Sequence, residues 1–525
     1  MLSEDKYFQS FSEAELWQRY CGFLDLSVQE FLEIQRELLM DEIERVADSV
    51  VGKKIIGDRM PRSVEEFQQI VPLTTFEDYA PYLNERQESA LGEKPYTWCH
   101  SSGRGGAYKW IPLTEECLHK ANRNLIASCI LSAANRRGEV NIYPDFKFLA
   151  TLPPPPYTSG TIYEFLSKEF SFAPIPPPEQ VKDLEFREKL QRGFQVALKE
   201  GVDVLGAISS VLVRMGQEFA SQASGRKFSL SMLHPKIVWR MLRAVLRSKL
   251  EKRPLLPKDL WSPKGIVAGG LDTFIYKDDI AHYWGIEPFD FYVSTETLFI
   301  AMQGWNQKAM TFIADSVFFE FLPLGEENAT PVLLDGLEEG KLYELLVTQF
   351  YGMPLLRYRI NDIIKVISLT DEETGVRLPQ IAVQRKVGQT IDLAGLASLD
   401  ERIVWQAIAN TGLSYTDWVA CKEYDHNETY LRLYLELKEE RPVDQICEII
   451  HQALQKVDPD YVDIERYLKQ QPVKVTLLSK GTFGRYMQEK QEQGADLAHL
   501  KPAHINPSQE MVDLLLKLDQ EVPAR

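Results

Sequence analysis

The sequence predicts an α/β chain in two parts. A large N-terminal domain, residues 1–385, carries mixed β-sheets flanked by helices, and a small α+β domain spans residues 386–525. Three observations lead there. At 525 residues the chain is longer than one hydrophobic core ordinarily serves. After residue 252, short apolar runs of strand type alternate with helical stretches. From about residue 386 the order becomes helix, alternating strand, helix, strand, over an ordinary domain length. Hydrophobic residues make up 44% and charged residues 26%, a soluble globular composition. A net charge of −17 argues against general binding to nucleic acid or anionic membranes. No run of 18 apolar residues predicts membrane insertion, and Met1-Leu2-Ser3-Glu4-Asp5-Lys6 has no apolar signal core. The six cysteines are scattered without C-x-x-C spacing, which fits reduced thiols in a cytoplasmic protein and neither a disulfide frame nor a zinc site.

Taken in order, residues 12 to about 50 read as helix. Trp17, Tyr20, Phe23 and Leu24, then Phe31, Ile34, Leu38 and Leu39, recur at helical spacing, and Ser27 is an N-cap for the second run. Thr75 caps a short helix leading to Tyr82, and Thr114-Glu115-Glu116 opens a longer one. Tyr96-Thr97-Trp98-Cys99 and Phe146-Lys147-Phe148-Leu149-Ala150-Thr151-Leu152 read as strands. The proline clusters at 153–156 and 174–178 force extended backbone and are read as loops around a site mouth. Residues 179–252 read as mostly helical. Near their end Arg240, Arg243 and Arg247 mark a solvated or phosphate-binding face, with Val238, Leu242 and Val245 as a core stripe. Strands follow at 265–270, 289–296, 318–323, 343–348, 356–359 and 362–366. In the small domain, 401–409 and the run opened by Pro442 are helices, and 430–437 and 473–478 are strands.

The chemistry concentrates in Ser101-Ser102-Gly103-Arg104-Gly105-Gly106-Ala107-Tyr108-Lys109. Glycines let backbone N–H groups approach an anion, the serines add donors and Lys109 adds charge, a set that suits a triphosphate. A plain Gly/Ser surface turn is the competing reading. Gly336-Leu337-Glu338-Glu339-Gly340-Lys341-Leu342 imitates an NTPase P-loop, but it is one residue short, lacks the hydroxyl after the lysine and runs into a strand.

Several stretches together resemble the plant-hormone acyl-acid amido synthetases, the Gretchen Hagen family of the adenylate-forming superfamily. The loop 101–109 is similar in type to that superfamily's phosphate loop, and Tyr292-Val293-Ser294-Thr295-Glu296 to its Tyr-x-x-Ser/Thr-Glu. The 339–348 stretch, with its Tyr343-Glu344-Leu345, and the 354–362 stretch, with Arg357-Tyr358-Arg359, resemble the amido synthetases in particular. The stretch beginning Val71-Pro72-Leu73, residues 318–323 and Gly481-Thr482-Phe483 add to the likeness. Departures are Arg104-Gly105 for a hydroxyl pair, Tyr108 for proline, Asn361 for the glycine before Asp362, and no clear counterpart near Ala397-Ser398 of the lysine after the domain junction.

The resemblance implies an ATP- and Mg²⁺-dependent ligase. It would join a carboxylic acid, of apolar or aryl character, to an amino acid or other amine through an acyl adenylate, with residues 386–525 as a mobile lid. It also implies site roles. Ser101, Ser102, Gly103, Arg104, Gly105, Gly106 and Lys109 face the phosphates, and Gly269 and Gly270 lie against the base. Tyr292 stacks on adenine, with Thr295 beside Glu296, and Glu296 holds Mg²⁺. Asp362 accepts the ribose hydroxyls. Arg357 and Arg359 share a strand face, one bridging phosphate and the other pairing with a core acid such as Glu344; Arg359 is the candidate for the phosphate. Lys501, before Pro502, is the lysine expected to reach the adenylate, and Lys480 is its rival. Two alternatives stay open: a thioester-forming ligase of the same fold using coenzyme A, and a non-catalytic relative that binds a nucleotide or small acid.

Overall fold

In the computed structural model the chain is described except for residues 1, 101–108, 153, 181–185, 224–234, 270–272, 326–328, 387–389, 394–396, 426–427, 459–460, 463–470, 493–501 and 521–525. It divides into a large unit running to Gln384 and a small one from Arg385 to Arg525. The large unit opens with a helical layer that includes α1 (Val28–Ala47) and α2 (Phe76–Leu83). The caps read from sequence are in place. Ser27 accepts from the Glu30 amide and Glu30 returns a bond to the Ser27 amide, and the Asp78 carboxylate does the same for the Thr75 amide. A hairpin of β1 (Thr97–His100) and β2 (Trp110–Leu113) follows, and Thr114 caps α3 (Glu115–Ala133).

The rest of the unit is built on one eleven-stranded sheet. Its strands are β3 (Phe146–Thr151), β4 (Phe172–Ile175), β5 (Val204–Ile208), β6 (Gly265–Gly269), β7 (Phe289–Ser294), β8 (Leu298–Gln303), β9 (Met310–Phe312), β10 (Val317–Pro323), β11 (Leu342–Gln349), β12 (Tyr358–Ser368) and β13 (Gln380–Lys386). Their spatial order is β10-β11-β12-β13-β9-β8-β7-β6-β5-β3-β4. The block β4-β3-β5-β6-β7 is parallel, and β7 turns to antiparallel pairing with β8. Parallel strands need crossovers, supplied here by α4 (Phe186–Glu200), α5 (Ser209–Ala223), α6 (Pro235–Leu250) and α7 (Thr273–Trp284). Side chains on this block alternate between two cores. Phe148, Val204 and Val267 join one, while Leu149, Leu205 and Ile266 join the other. Burial on both faces is why these strands read as unbroken apolar runs.

Three expectations change. Phe172–Ile175 is an edge strand of the sheet, so Pro174 lies inside an element; an edge tolerates a residue that donates no hydrogen bond. The mostly helical stretch 179–252 also contains β5, five residues of central parallel strand too short to stand out between two helices. Residues 358–368 form one strand, with Leu356 and Arg357 before it. The false P-loop is a turn through Gly340 into β11, as its sequence indicated.

The small unit holds a hairpin, β14 (Thr390–Leu393) with β15 (Ala397–Asp400), and a three-stranded sheet of β16 (Tyr415–Asp425), β17 (Glu428–Leu437) and β18 (Val473–Leu478). Around them lie α8 (Glu401–Asn410), α9 (Val443–Val457), α10 (Thr482–Glu492) and α11 (Gln509–Gln520). The segment after Lys501 is tied down by backbone: the Ala420 amide donates to the His504 carbonyl at 2.6 Å, and the Asn506 amide to the Ala420 carbonyl at 2.8 Å. Its imidazole is wedged between Glu401 (2.6 Å) and Asp417 (2.9 Å) and stacked on Trp418 at 4.6 Å. Burial alone would lower the His504 pKa, but the hydrogen bonds to Asp417 and Glu401 outweigh it and carry the pKa up to about 9. The unfolded value is about 6.5. The stabilisation is therefore complete below pH 6.5 and is lost as pH rises through about 9, amounting to roughly 3 kcal/mol. Thermal unfolding of the small unit is expected to show a midpoint that falls over that window, and His504→Gln should flatten the slope.

Candidate functional site

The hairpin β1–β2 ends on the pair His100↔Trp110, so its backbone sets both ends of the glycine-rich loop. His100 is buried, edge-on to the Trp110 and Tyr157 rings at 5.1 and 4.6 Å. The phosphate candidates Ser101, Ser102, Gly103, Arg104, Gly105 and Gly106 lie outside the described residues, as do Gly270 and Lys501. Lys109, at the loop's far end, is described. Its Nζ donates to the Tyr358 hydroxyl at 3.3 Å and stands 5.2 Å from the Phe76 ring centroid.

Tyr358 opens β12 and is buried. The 71–79 stretch splints it. The Thr74 amide donates to the Arg357 carbonyl and the Arg359 amide to the Thr74 carbonyl, a parallel bridge across Tyr358. The Tyr79 hydroxyl accepts from the Leu356 amide at 2.9 Å. Burial, and then the nearby charges of Glu296, Glu77 and Asp362 among others, raise the Tyr358 pKa, so the phenol keeps its proton. Glu296 and Asp362 thus stand close enough to Tyr358 to act on it electrostatically.

Asp362 sits in an irregular part of β12. Arg359 faces Leu346 and Ile363 faces Glu344, so three residues of β12 oppose one of β11. Asn361, in the middle, has φ 63°, the left-handed region that asparagine tolerates better than most residues. The departure from glycine here keeps the conformation a glycine would supply. The bulge buries the Asp362 carboxyl, where it accepts from the Tyr292 hydroxyl. Between β7 and β12 the sheet inserts β8, β9 and β13. A flat sheet would hold them about 19 Å apart, so this contact requires the sheet to coil. Tyr292 is fully enclosed, and burial followed by the Asp362 charge drives its pKa well above the phenol value. It is a fixed donor.

Glu296 is half-buried in the turn from β7 to β8. Ser294 and Thr297 hydroxyls bond across that turn at 2.8 Å, and Gln349, at the end of β11, donates to the Glu296 carbonyl. Thr295, also half-buried, precedes it. Gly269 ends β6 beside Phe291 of β7. These positions lie at the carboxyl ends of parallel strands, where open α/β sheets bind ligands.

The two arginines part ways. Arg357 has φ 43° and leaves the strand for the core, where it forks onto Glu320. Arg359 forks onto Glu344 at 2.8 and 2.6 Å and stays 38% exposed. Their partners lie on one side of the sheet, since β10 and β11 pair Glu320 with Leu346 and Leu322 with Glu344, but Arg357 is enclosed and Arg359 is not. Both have a carboxylate partner, and Arg359 is the one bound to Glu344. In the small unit, Lys480 is exposed on the turn before α10. The buried Glu436 carboxylate stiffens that turn by accepting from the Gly481 and Phe483 amides at 2.8 and 2.9 Å.

Lys109, Glu296 and Asp362 therefore gather around Tyr358 and Tyr292. Tyr358 and Gln349 had no role in the sequence reading; the available signal for Tyr358 was its place between two arginines. A small cavity of about 20 Å³ adjoins the Glu296 turn, lined by Thr297, Leu298 and Phe299 but also by α3 side chains such as Cys117 and Ala121. Among the described residues no cluster of three or more His, Cys, Asp or Glu could hold a metal ion, and no helix is long and apolar enough to cross a membrane.

Three family models match in chain order: the GH3 family N-terminal domain over residues 22–169, the central domain over 310–386 and the C-terminal domain over 401–510. A jasmonoyl–L-amino acid synthetase, GH3.5 of Oryza sativa subsp. japonica, is 23% identical over 280 residues, 47% of this chain and 46% of that protein. The match thus spans about half the length of that relative. A probable indole-3-acetic acid-amido synthetase, GH3.1 of the same organism, is 22% identical over 552 residues, covering 92% of this chain and 88% of that one. The solved structure of the acyl acid amido synthetase AtGH3.15 in complex with 2,4-DB superposes with a TM-score of 0.68 at 17% identity, covering 97% of both chains.

Proposed function

We propose, from the premise that this chain belongs to the GH3 family, that it is an ATP-dependent acyl acid amido synthetase. The observation that carries the reading is the gathering of Lys109, Glu296 and Asp362 around two enclosed tyrosines. In the first step an oxygen of the substrate carboxylate bonds to the α-phosphorus of ATP, and the bond to pyrophosphate breaks. The nucleophile is already an anion, so the task is alignment and charge neutralisation. Lys109 and the 101–106 loop supply positive charge and N–H donors. Asp362, oriented by Tyr292, accepts the ribose hydroxyls. In the second step an amine nitrogen bonds to the acyl carbon, AMP leaves, and the nitrogen's proton passes to water. Residues 386–525 supply a lysine, Lys501 or Lys480, and exclude water from the adenylate.

A single carboxylate at Glu296 suits Mg²⁺, which takes one or two protein carboxylates and fills its remaining positions with phosphate and water. Bound there, it would neutralise phosphate charge. The acceptor is an amino acid, and the acid is apolar or aryl, a reading supported by the aromatic side chains abundant between residues 280 and 310. A screen of carboxylic acids crossed with amino acids and with coenzyme A, reading pyrophosphate release and product mass, tests this. The expected result is one amide formed per pyrophosphate with at least one acid–amine pair. Thioester as the sole product, or ATP binding without pyrophosphate release across the panel, would overturn it.

A further inference from the structure

Helix α6 departs from the expected packing. Val238 and Leu242, read from sequence as a core stripe, point outward at 48% and 53% exposure, with Trp239 at 69%, Leu246 at 55% and Leu250 at 82%. At 100° per residue these five lie within an arc of about 120°. The opposite face carries Ile237 and Ala244, both buried. Arg240 fastens the helix to the end of α4 by donating to the Ala197 and Leu198 carbonyls. None of the sixteen residues of α6 is acidic, and Lys236, Arg243 and Arg247 border the apolar arc while Lys249 lies within it. A soluble surface rarely leaves so many large apolar side chains together on one helix.

We propose that α6 is an interfacial anchor that docks this protein on an anionic phospholipid surface, with Trp239, Leu242 and Leu246 entering the headgroup–acyl boundary. Charge selects the occupant. A two-fold dimer through this face would set two wholly basic helices against each other, a like-charge contact. An anionic leaflet is complementary to the lysines and arginines and takes up the apolar arc between them. The whole chain's net charge of −17 includes the five cations of α6, so the remainder is more acidic still and is repelled by such a surface; binding is thereby confined to α6 and fixes the protein's orientation.

The test is sedimentation of the full chain with phosphatidylcholine vesicles, with and without phosphatidylserine. Binding is expected only with phosphatidylserine, weakening as salt is added. The wild-type tryptophan emission should shift to the blue on binding, and the Trp239→Phe protein should show no such shift. Leu242→Ser with Leu246→Ser should lower the bound fraction at least tenfold, and Arg243→Glu alone should weaken binding at low salt. These side chains are exposed, so the variants keep the core intact. Equal binding to both vesicle types, binding unchanged in the variants, a dimer that dissociates on Leu242→Ser with Leu246→Ser, or capture of polyglutamate in place of vesicles would each overturn the proposal.

Discussion

Arg357→Ala is expected to destabilise the large unit by roughly 3–5 kcal/mol, the cost of stripping one partner from a buried ion pair. Arg357 is 5% exposed and Glu320 is 1% exposed. Two parallel bonds join them at 2.9 and 2.8 Å, and the remaining donors reach the Gln68 and Val71 carbonyls, both at 2.7 Å. One side chain thus ties β10 to the loop that leads into the 71–79 splint. Alanine would leave the Glu320 carboxylate enclosed with only the Gln68 amide at 3.0 Å. The double variant Arg357→Met with Glu320→Leu removes both charges and should cost less than Arg357→Ala alone. Urea unfolding midpoints decide it. A cost under about 1 kcal/mol for Arg357→Ala, or a double variant worse than the single, would contradict the account.

How much of this was legible in the sequence follows from the range of each interaction. Caps at Ser27, Thr75 and Thr114 are local, so four or five residues reveal them. Parallel strands such as β6 announce themselves because both faces are buried. The edge strand β4 did not, since its proline dominates a four-residue reading. The candidate residues Glu296 and Asp362 were visible only as parts of matched stretches, because nothing local distinguishes one carboxylate from another. What brings them together is the coiling of a sheet across β8, β9 and β13, a long-range effect that no window of sequence contains. The same limit hid the partners of the arginines. Alternation suggested one face for Arg357 and Arg359, which the register of their glutamates agrees with, but nothing local marked Arg357 as the enclosed one. Helix α6 shows the converse. Its amphipathic pattern was plain, but periodicity gives the width of an apolar arc and not the direction it faces.

Asp362→Asn is expected to lower kcat/KM for ATP by about 10²–10³, with little change in folding. The size comes from one charge-assisted hydrogen bond to ribose lost, because the amide NH2 cannot accept, and the other reduced to a neutral one, together about 3–4 kcal/mol at one decade per 1.36 kcal/mol. Asparagine keeps the shape and one acceptor, so the bulge in β12 persists. Tyr292→Phe should cost less, about tenfold, because it removes the donor that orients Asp362 but leaves the charge. The acyl adenylate carries the same ribose, so the KM for pre-formed acyl adenylate should rise as well, while amide formation at saturating adenylate should approach the wild-type rate. Asn361→Gly is the control. Glycine adopts the same positive φ without strain, so its ATP kinetics should stay within about twofold of wild type. If Asn361→Gly lost as much as Asp362→Asn, the bulge geometry alone would be responsible. If Asp362→Asn kept its ATP kinetics, the carboxylate would not touch the nucleotide, and its burial against Tyr292 would be a matter of folding only.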